Sequence, residues 1–128
     1  MSTRAPHRHS PILVVDDDDD IRASVAEILR GQGYEVREAQ DGDEALALVR
    51  AERFAAMVLD VRMPRLSGTA VLDALADPPP VLLMSAHAID RDDRRRVQDK
   101  VRTYLHKPFP PRVLIEELAG IVGAEGEP

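Results

Sequence analysis

Apolar residues fall in short blocks along this chain, and polar segments of two periodicities separate them. Ile12 to Val15 is an unbroken apolar run, the mark of a strand buried on both faces. Ile21, Val25, Ile28 and Leu29 then recur at helical spacing, and Gly31 and Gly33 end that helix. Residues 35–39 predict a second strand, Asp41-Gly42 a turn, and Ala45, Leu46 and Val49 the apolar side of a second helix. A third strand covers 55–59 and ends at Asp60. A loop over 64–68 leads to a short helix over 69–76, closed by Pro78-Pro79-Pro80. A fourth strand covers 81–84. Residues 90–101 are strongly polar, with Ile89, Val97 and Val101 allowing a weak helix, and 103–105 predict a fifth strand. After Pro108 to Pro111, a last helix turns Val113, Leu114, Leu118, Ile121 and Val122 inward.

Strand and helix thus alternate five times. That order predicts an α/β domain with a parallel sheet covered by helices on both faces. Ligands of such sheets bind beyond the carboxyl ends of the strands, where strand order switches. The residues there are Asp16 and Asp17 after strand one, Asp60 after strand three, Ser85 after strand four and Lys107 after strand five. Three carboxylates at close range repel unless a cation sits among them, and oxygen ligands are what Mg²⁺ takes. A lysine and a hydroxyl can hold phosphoryl oxygens, and an aspartate beside Mg²⁺ can accept a phosphoryl group.

Composition narrows the function. The chain has 128 residues, enough for one domain with a sizeable core, 44% hydrophobic and 31% charged. A net charge of -6 argues against direct nucleic-acid or anionic-membrane binding. The absence of cysteine removes disulfide and thiolate chemistry. No apolar run approaches the ~20 residues of a membrane span, and the start, MSTRAPHRHS, has no apolar signal segment. A cytoplasmic location is the expectation. Residues 1–10, with His7 and His9, read as a flexible tail, 11–122 as the domain and 123–128 as a short C-terminal tail.

The five aspartates from 16 to 20 need an account. Asp16 and Asp17 belong to the strand end. Asp18, Asp19 and Asp20 belong to the loop and first helical turn, where negative charge meets the helix dipole.

The pieces "ILVVDD", "MVLDVRMPRLSG", "LLMSA" and "YLHKPF" lie in order at the predicted strand ends. Together they make the chain resemble the receiver domain of two-component response regulators, over roughly residues 11–122. The resemblance implies a (βα)5 doubly wound, flavodoxin-like fold with strand order 2-1-3-4-5. It implies Asp60 as phosphoacceptor, and Asp16 and Asp17 as the acidic pair. Asp17 would be the direct Mg²⁺ ligand and Asp16 would act through water, with the Arg62 backbone carbonyl as a further ligand and Mn²⁺ as a substitute ion. Ser85 and Lys107 would hold the phosphoryl group, Ser85 and Tyr104 would switch inward, and Lys107-Pro108 would be cis. Arg62 and His87, each two residues past a site residue, would tune the phosphorylated lifetime, with Arg62 shielding the phosphoryl group or pairing with Asp16.

The implied partners are a sensor histidine kinase or phosphotransfer protein and an unidentified downstream protein, without nucleic acid or membrane. The chain is expected to be a stand-alone switch, monomeric or a weak homodimer, with self-phosphorylating and autophosphatase chemistry rather than metabolic turnover. A phosphorylation-independent interaction module on the same fold is the alternative. The sequence departs from the family in a short third helix, in a polar fourth helix expected to dock weakly, and in "DKVRTY" before strand five. Arg94, Arg95 and Arg96 would offer an acidic partner a basic patch.

Overall fold

The computed structural model describes residues 10–126, with side chains to residue 123. Of the expected tail over 1–10, only Ser10 falls within it, and His7 and His9 lie outside the described residues. Along the chain run β1 (Ile12–Val15), α1 (Asp19–Gly31), β2 (Val36–Ala39), α2 (Gly42–Ala51), β3 (Ala56–Asp60) and α3 (Gly68–Asp73). Then come β4 (Val81–Ser85), α4 (Arg91–Val97), β5 (Val101–His106) and α5 (Pro111–Gly126). The strands form one parallel sheet in the order β2-β1-β3-β4-β5, the expected doubly wound topology.

The period-2 geometry of the strands splits the core into two layers. Ile12, Val14, Ala56, Val58, Leu82 and Met84 face α1 and α5, meeting Val25, Leu29, Leu114 and Leu118. Leu13, Val15, Met57, Leu59, Val81 and Leu83 face α2, α3 and α4, meeting Ala45, Leu72 and Val97. Because both faces are covered, the central strands are apolar throughout, and polar residues enter only where the strands end.

Asp18 caps α1, its carboxylate accepting from the Asp20 and Ile21 amides at 2.9 and 3.0 Å. Asp19 and Asp20 occupy the first turn. The helix closes where Gly33 takes a left-handed φ of 95°, which lets the Gly33 amide bond the Arg30 carbonyl at 3.0 Å.

Three boundaries differ from expectation. α3 stops at Asp73 rather than 76, because the Ala74 and Leu75 amides turn back to Val71 and Leu72, each at 3.1 Å. Lys100 Nζ, in a 3-10 turn over Gln98–Lys100, takes the Leu72 and Leu75 carbonyls at 2.8 and 2.9 Å. β5 begins at Val101, paired with Val81, two residues before the expected start. α5 continues to Gly126, into the segment expected as a C-terminal tail from 123, since no proline breaks residues 123–126. α4 has seven residues and a single buried side chain, Val97. It is strapped instead by Arg96, whose Nε meets the Asp73 carboxylate at 2.9 and 3.0 Å.

Candidate functional site

Parallel strands that end level bring their next residues together. β1 and β3 are neighbours at the point where strand order reverses, and they deliver Asp16 and Asp60 side by side. β4 ends in Ser85, and β5 leads into Lys107, whose amide bonds the Ser85 carbonyl at 2.8 Å. All the residues expected at the strand ends therefore share one edge.

Lys107 Nζ lies 2.7 Å from Asp60 Oδ1 and 3.0 Å from Asp16 Oδ2. Both carboxylates are buried and Asp17 is exposed. One oxygen from each of Asp16, Asp17 and Asp60 falls within 4.8 Å of the others. Burial holds the Asp60 carboxyl above the usual carboxylate range; Lys107 opposes that rise, and the Asp16 and Asp17 charges add to it. For Lys107, burial works downward, but hydrogen bonds to Asp60 and Asp16 outweigh it and its pKa is raised. The three carboxylates form an all-oxygen donor set, open to solvent on the Asp17 side, which suits a hard divalent cation such as Mg²⁺.

Ser85 is buried, and its hydroxyl donates to the His87 carbonyl and accepts from the His87 amide at 3.2 Å. His87 itself is exposed. The Lys107–Pro108 peptide is cis, as the resemblance implies. Gly68, at the start of α3, packs against the Asp60 main chain so closely that a Cβ there would overlap the Asp60 carbonyl oxygen. Its amide bonds the Val61 carbonyl at 2.8 Å, which fixes the turn after Asp60.

Two expectations need correction. Arg62 does not pair with Asp16: it is exposed and makes no ion pair among the described residues, while Lys107 and the Asp18 amide occupy the Asp16 oxygens. The Tyr104 hydroxyl is buried, and the Arg94 guanidinium lies over its ring, 4.1 Å from the centroid. The basic patch is correspondingly reduced, since Arg94 sits on Tyr104 and Arg96 pairs with Asp73 and Asp93.

Sequence reasoning passed over a cleft of about 640 Å³ beside Ser85, bordered by Met63, Ser67, Ile89 and Asp93. It also passed over Gly68 and Arg22. No spacing rule marks these residues, because their roles arise from contacts between loops. Among the described residues, no helix is long and apolar enough to cross a membrane.

A doubly wound sheet with buried carboxylates, a lysine and a hydroxyl at its switch point defines a phosphoryl- or cation-handling domain. The chain belongs to the response regulator receiver domain family of two-component systems, whose family model matches residues 12–119. It is 39% identical over 114 residues to the response regulator MprA of Mycolicibacterium vanbaalenii, covering 87% of this chain and 49% of that protein. It is 37% identical over 118 residues to the transcriptional regulatory protein PrrA of Mycobacterium tuberculosis, covering 90% of this chain and 51% of that protein. The chain thus spans about half the length of the curated relatives it matches. Among solved structures, a CheY-like receiver domain from Methanospirillum hungatei superposes with TM-score 0.84 at 28% identity, covering 91% of this chain and 95% of that one. The response regulator TrrA of Thermotoga maritima, solved in complex with Mg²⁺-BeF, superposes with TM-score 0.75 at 29% identity, covering 88% of this chain and 98% of that one.

Proposed function

We propose that this domain is a phosphorylation-dependent switch with Asp60 as phosphoacceptor. The single observation that carries the reading is the Lys107 ammonium bridging Asp60 and Asp16 at 2.7 and 3.0 Å at the edge of the sheet. An Asp60 oxygen attacks the phosphorus of a phosphohistidine on a sensor kinase or phosphotransfer protein. The O–P bond forms, the P–N bond breaks, and its electron pair leaves on the imidazole nitrogen. Lys107 moves its attention from carboxylate to phosphoryl oxygen, and the Ser85 hydroxyl leaves the His87 carbonyl to donate to another phosphoryl oxygen.

Asp16, Asp17, Asp60 and the Arg62 carbonyl would hold Mg²⁺, or Mn²⁺ in its place; the ion supplies charge neutralisation for the transferring group. The TrrA complex with Mg²⁺-BeF supports the assignment by similarity. Water attack on phosphorus later returns the free Asp60 carboxylate. Arg62 and His87, both exposed, set the rate of that loss. Dephosphorylation of Arg62→Ala and His87→Ala tests this last point, and unchanged rates would remove them from the scheme. The turning of Ser85 and Tyr104 biases the face made by α4, β5 and α5 between two arrangements and so alters affinity for a downstream protein.

The test is intact mass after incubation with acetyl phosphate and Mg²⁺. The expected result is one added phosphoryl group, absent in Asp60→Asn and absent without the ion. No adduct, together with no response to beryllofluoride and Mg²⁺, would instead make this domain a phosphorylation-independent interaction module.

A further inference from the structure

The loop carrying the acidic pair is braced from behind by a side chain that touches none of the three carboxylates. Arg22, in the first turns of α1, reaches back so that its Nη1 donates to the Asp16 backbone carbonyl at 2.9 Å. Its Nη2 meets Asp19 Oδ1 at 2.7 Å, and its Nε meets Glu38 Oε1 on β2 at 3.2 Å. Glu38 is held in turn by Arg30 at 3.2 Å, and Arg30 also bonds the Val36 carbonyl at 3.0 Å. The Arg22 side chain is only 15% exposed, so these contacts are less screened than surface pairs.

The planar guanidinium thus ties three elements together: the end of β1, the start of α1 and strand β2. We infer that Arg22 is a positioning residue for the cation site, holding the 16–18 loop so that the Asp16 and Asp17 carboxylates stay convergent with Asp60. The inference rests on the reading of those carboxylates as cation ligands. The alternative is that Arg22 acts only through its charge. The two make opposite predictions. Arg22 is already matched by Asp19 and Glu38, so removing it unmasks negative charge near the site. Charge alone would then tighten cation binding. Loss of the brace lets the mutually repelling carboxylates drift apart, which weakens it.

The test is Mg²⁺ binding by isothermal titration calorimetry on the unphosphorylated protein, with urea midpoints recorded in parallel. Arg22→Met is expected to weaken Mg²⁺ about tenfold, the usual scale for residues that orient metal ligands. Arg22→Lys keeps the charge but not the three-way fork, and is expected to weaken binding about threefold. The lysine variant also serves if Arg22→Met fails to fold. Wild-type affinity, or tighter binding, in the folded variants would overturn the inference, as would a lowered urea midpoint with unchanged affinity. A wild-type protein that binds no Mg²⁺ at all would remove the underlying reading of the site as well, an outcome visible before any variant is made.

Discussion

Arg94 covers the ring of Tyr104, with its guanidinium carbon 4.1 Å from the ring centroid, and so joins the polar helix α4 to strand β5. Beneath that cover the Tyr104 hydroxyl is buried without a hydrogen-bond partner among the described residues. A buried hydroxyl of this kind costs stability, and a cation over a ring contributes some. Tyr104→Phe is therefore expected to raise stability by about 1 kcal/mol. Arg94→Ala is expected to lower it by about 0.5–1 kcal/mol, and by a similar amount in the Tyr104→Phe background, because phenylalanine keeps the ring face. Urea unfolding of the four proteins measures both, and no loss on Arg94→Ala in either background would show that the stacked pair contributes nothing.

Lys107 is the counter-charge for two buried carboxylates. Replacing it with methionine leaves Asp16 and Asp60 facing each other unneutralised, at an expected cost of about 3 kcal/mol in the presence of a chelator. Added Mg²⁺ should recover part of that loss, because a cation can take over the same role. Chemical denaturation with and without Mg²⁺ checks this; a variant as stable as wild type in chelator would contradict it.

Asp60 carries a pKa raised above the ordinary carboxylate value, mainly by burial. Folding therefore favours its protonated form. The stabilising contribution is complete below the unfolded pKa and fades as pH rises through the folded one. At neutral pH the ionised group is a liability when no divalent cation is present. Asp60→Asn should then melt about 4 °C above wild type, equivalent to about 1 kcal/mol. The gap should close as pH falls through the Asp60 folded pKa. Thermal melts across pH in chelator provide the measurement, and a variant that melts below wild type at neutral pH refutes the sign.

Gly68 and Gly120 make a matched pair. A methyl at Gly68 meets the Asp60 main chain, with its carbonyl carbon 3.1 Å away, whereas one at Gly120 on α5 meets nothing within 4 Å. Gly68→Ala is expected to cost about 2 kcal/mol and to slow phosphorylation by displacing Asp60. Gly120→Ala is expected to gain about 0.5–1 kcal/mol through helix propensity, with phosphorylation unchanged. Melting temperatures and intact mass after acetyl phosphate separate the two outcomes.

Much of this architecture was legible because its signals are local. Ile12 to Val15 reads as a doubly buried strand because it is short and rich in β-branched residues, and the parallel topology follows from strand–helix alternation. Once strand ends are known, Asp16, Asp60, Ser85 and Lys107 must cluster at one edge. What escaped the sequence depends on side chains reaching across loops. Lys100 closing α3, Arg96 gripping Asp73, and Arg22 holding the Asp16 carbonyl are separated from their partners by intervening elements or turns. The expected pairing of Arg62 with Asp16 failed because the ammonium of Lys107, delivered by the end of β5, already holds that carboxylate.

That ammonium has one more consequence. Many small metal-binding domains stay unfolded until their ion arrives. Here Lys107 already sits between Asp16 and Asp60, so the folded domain carries its own stand-in ion. On the proposed reading of the site, folding of the domain does not wait for the metal. Fluctuating Mg²⁺ would change how readily the domain receives a message, while the receiver itself stays built and waiting.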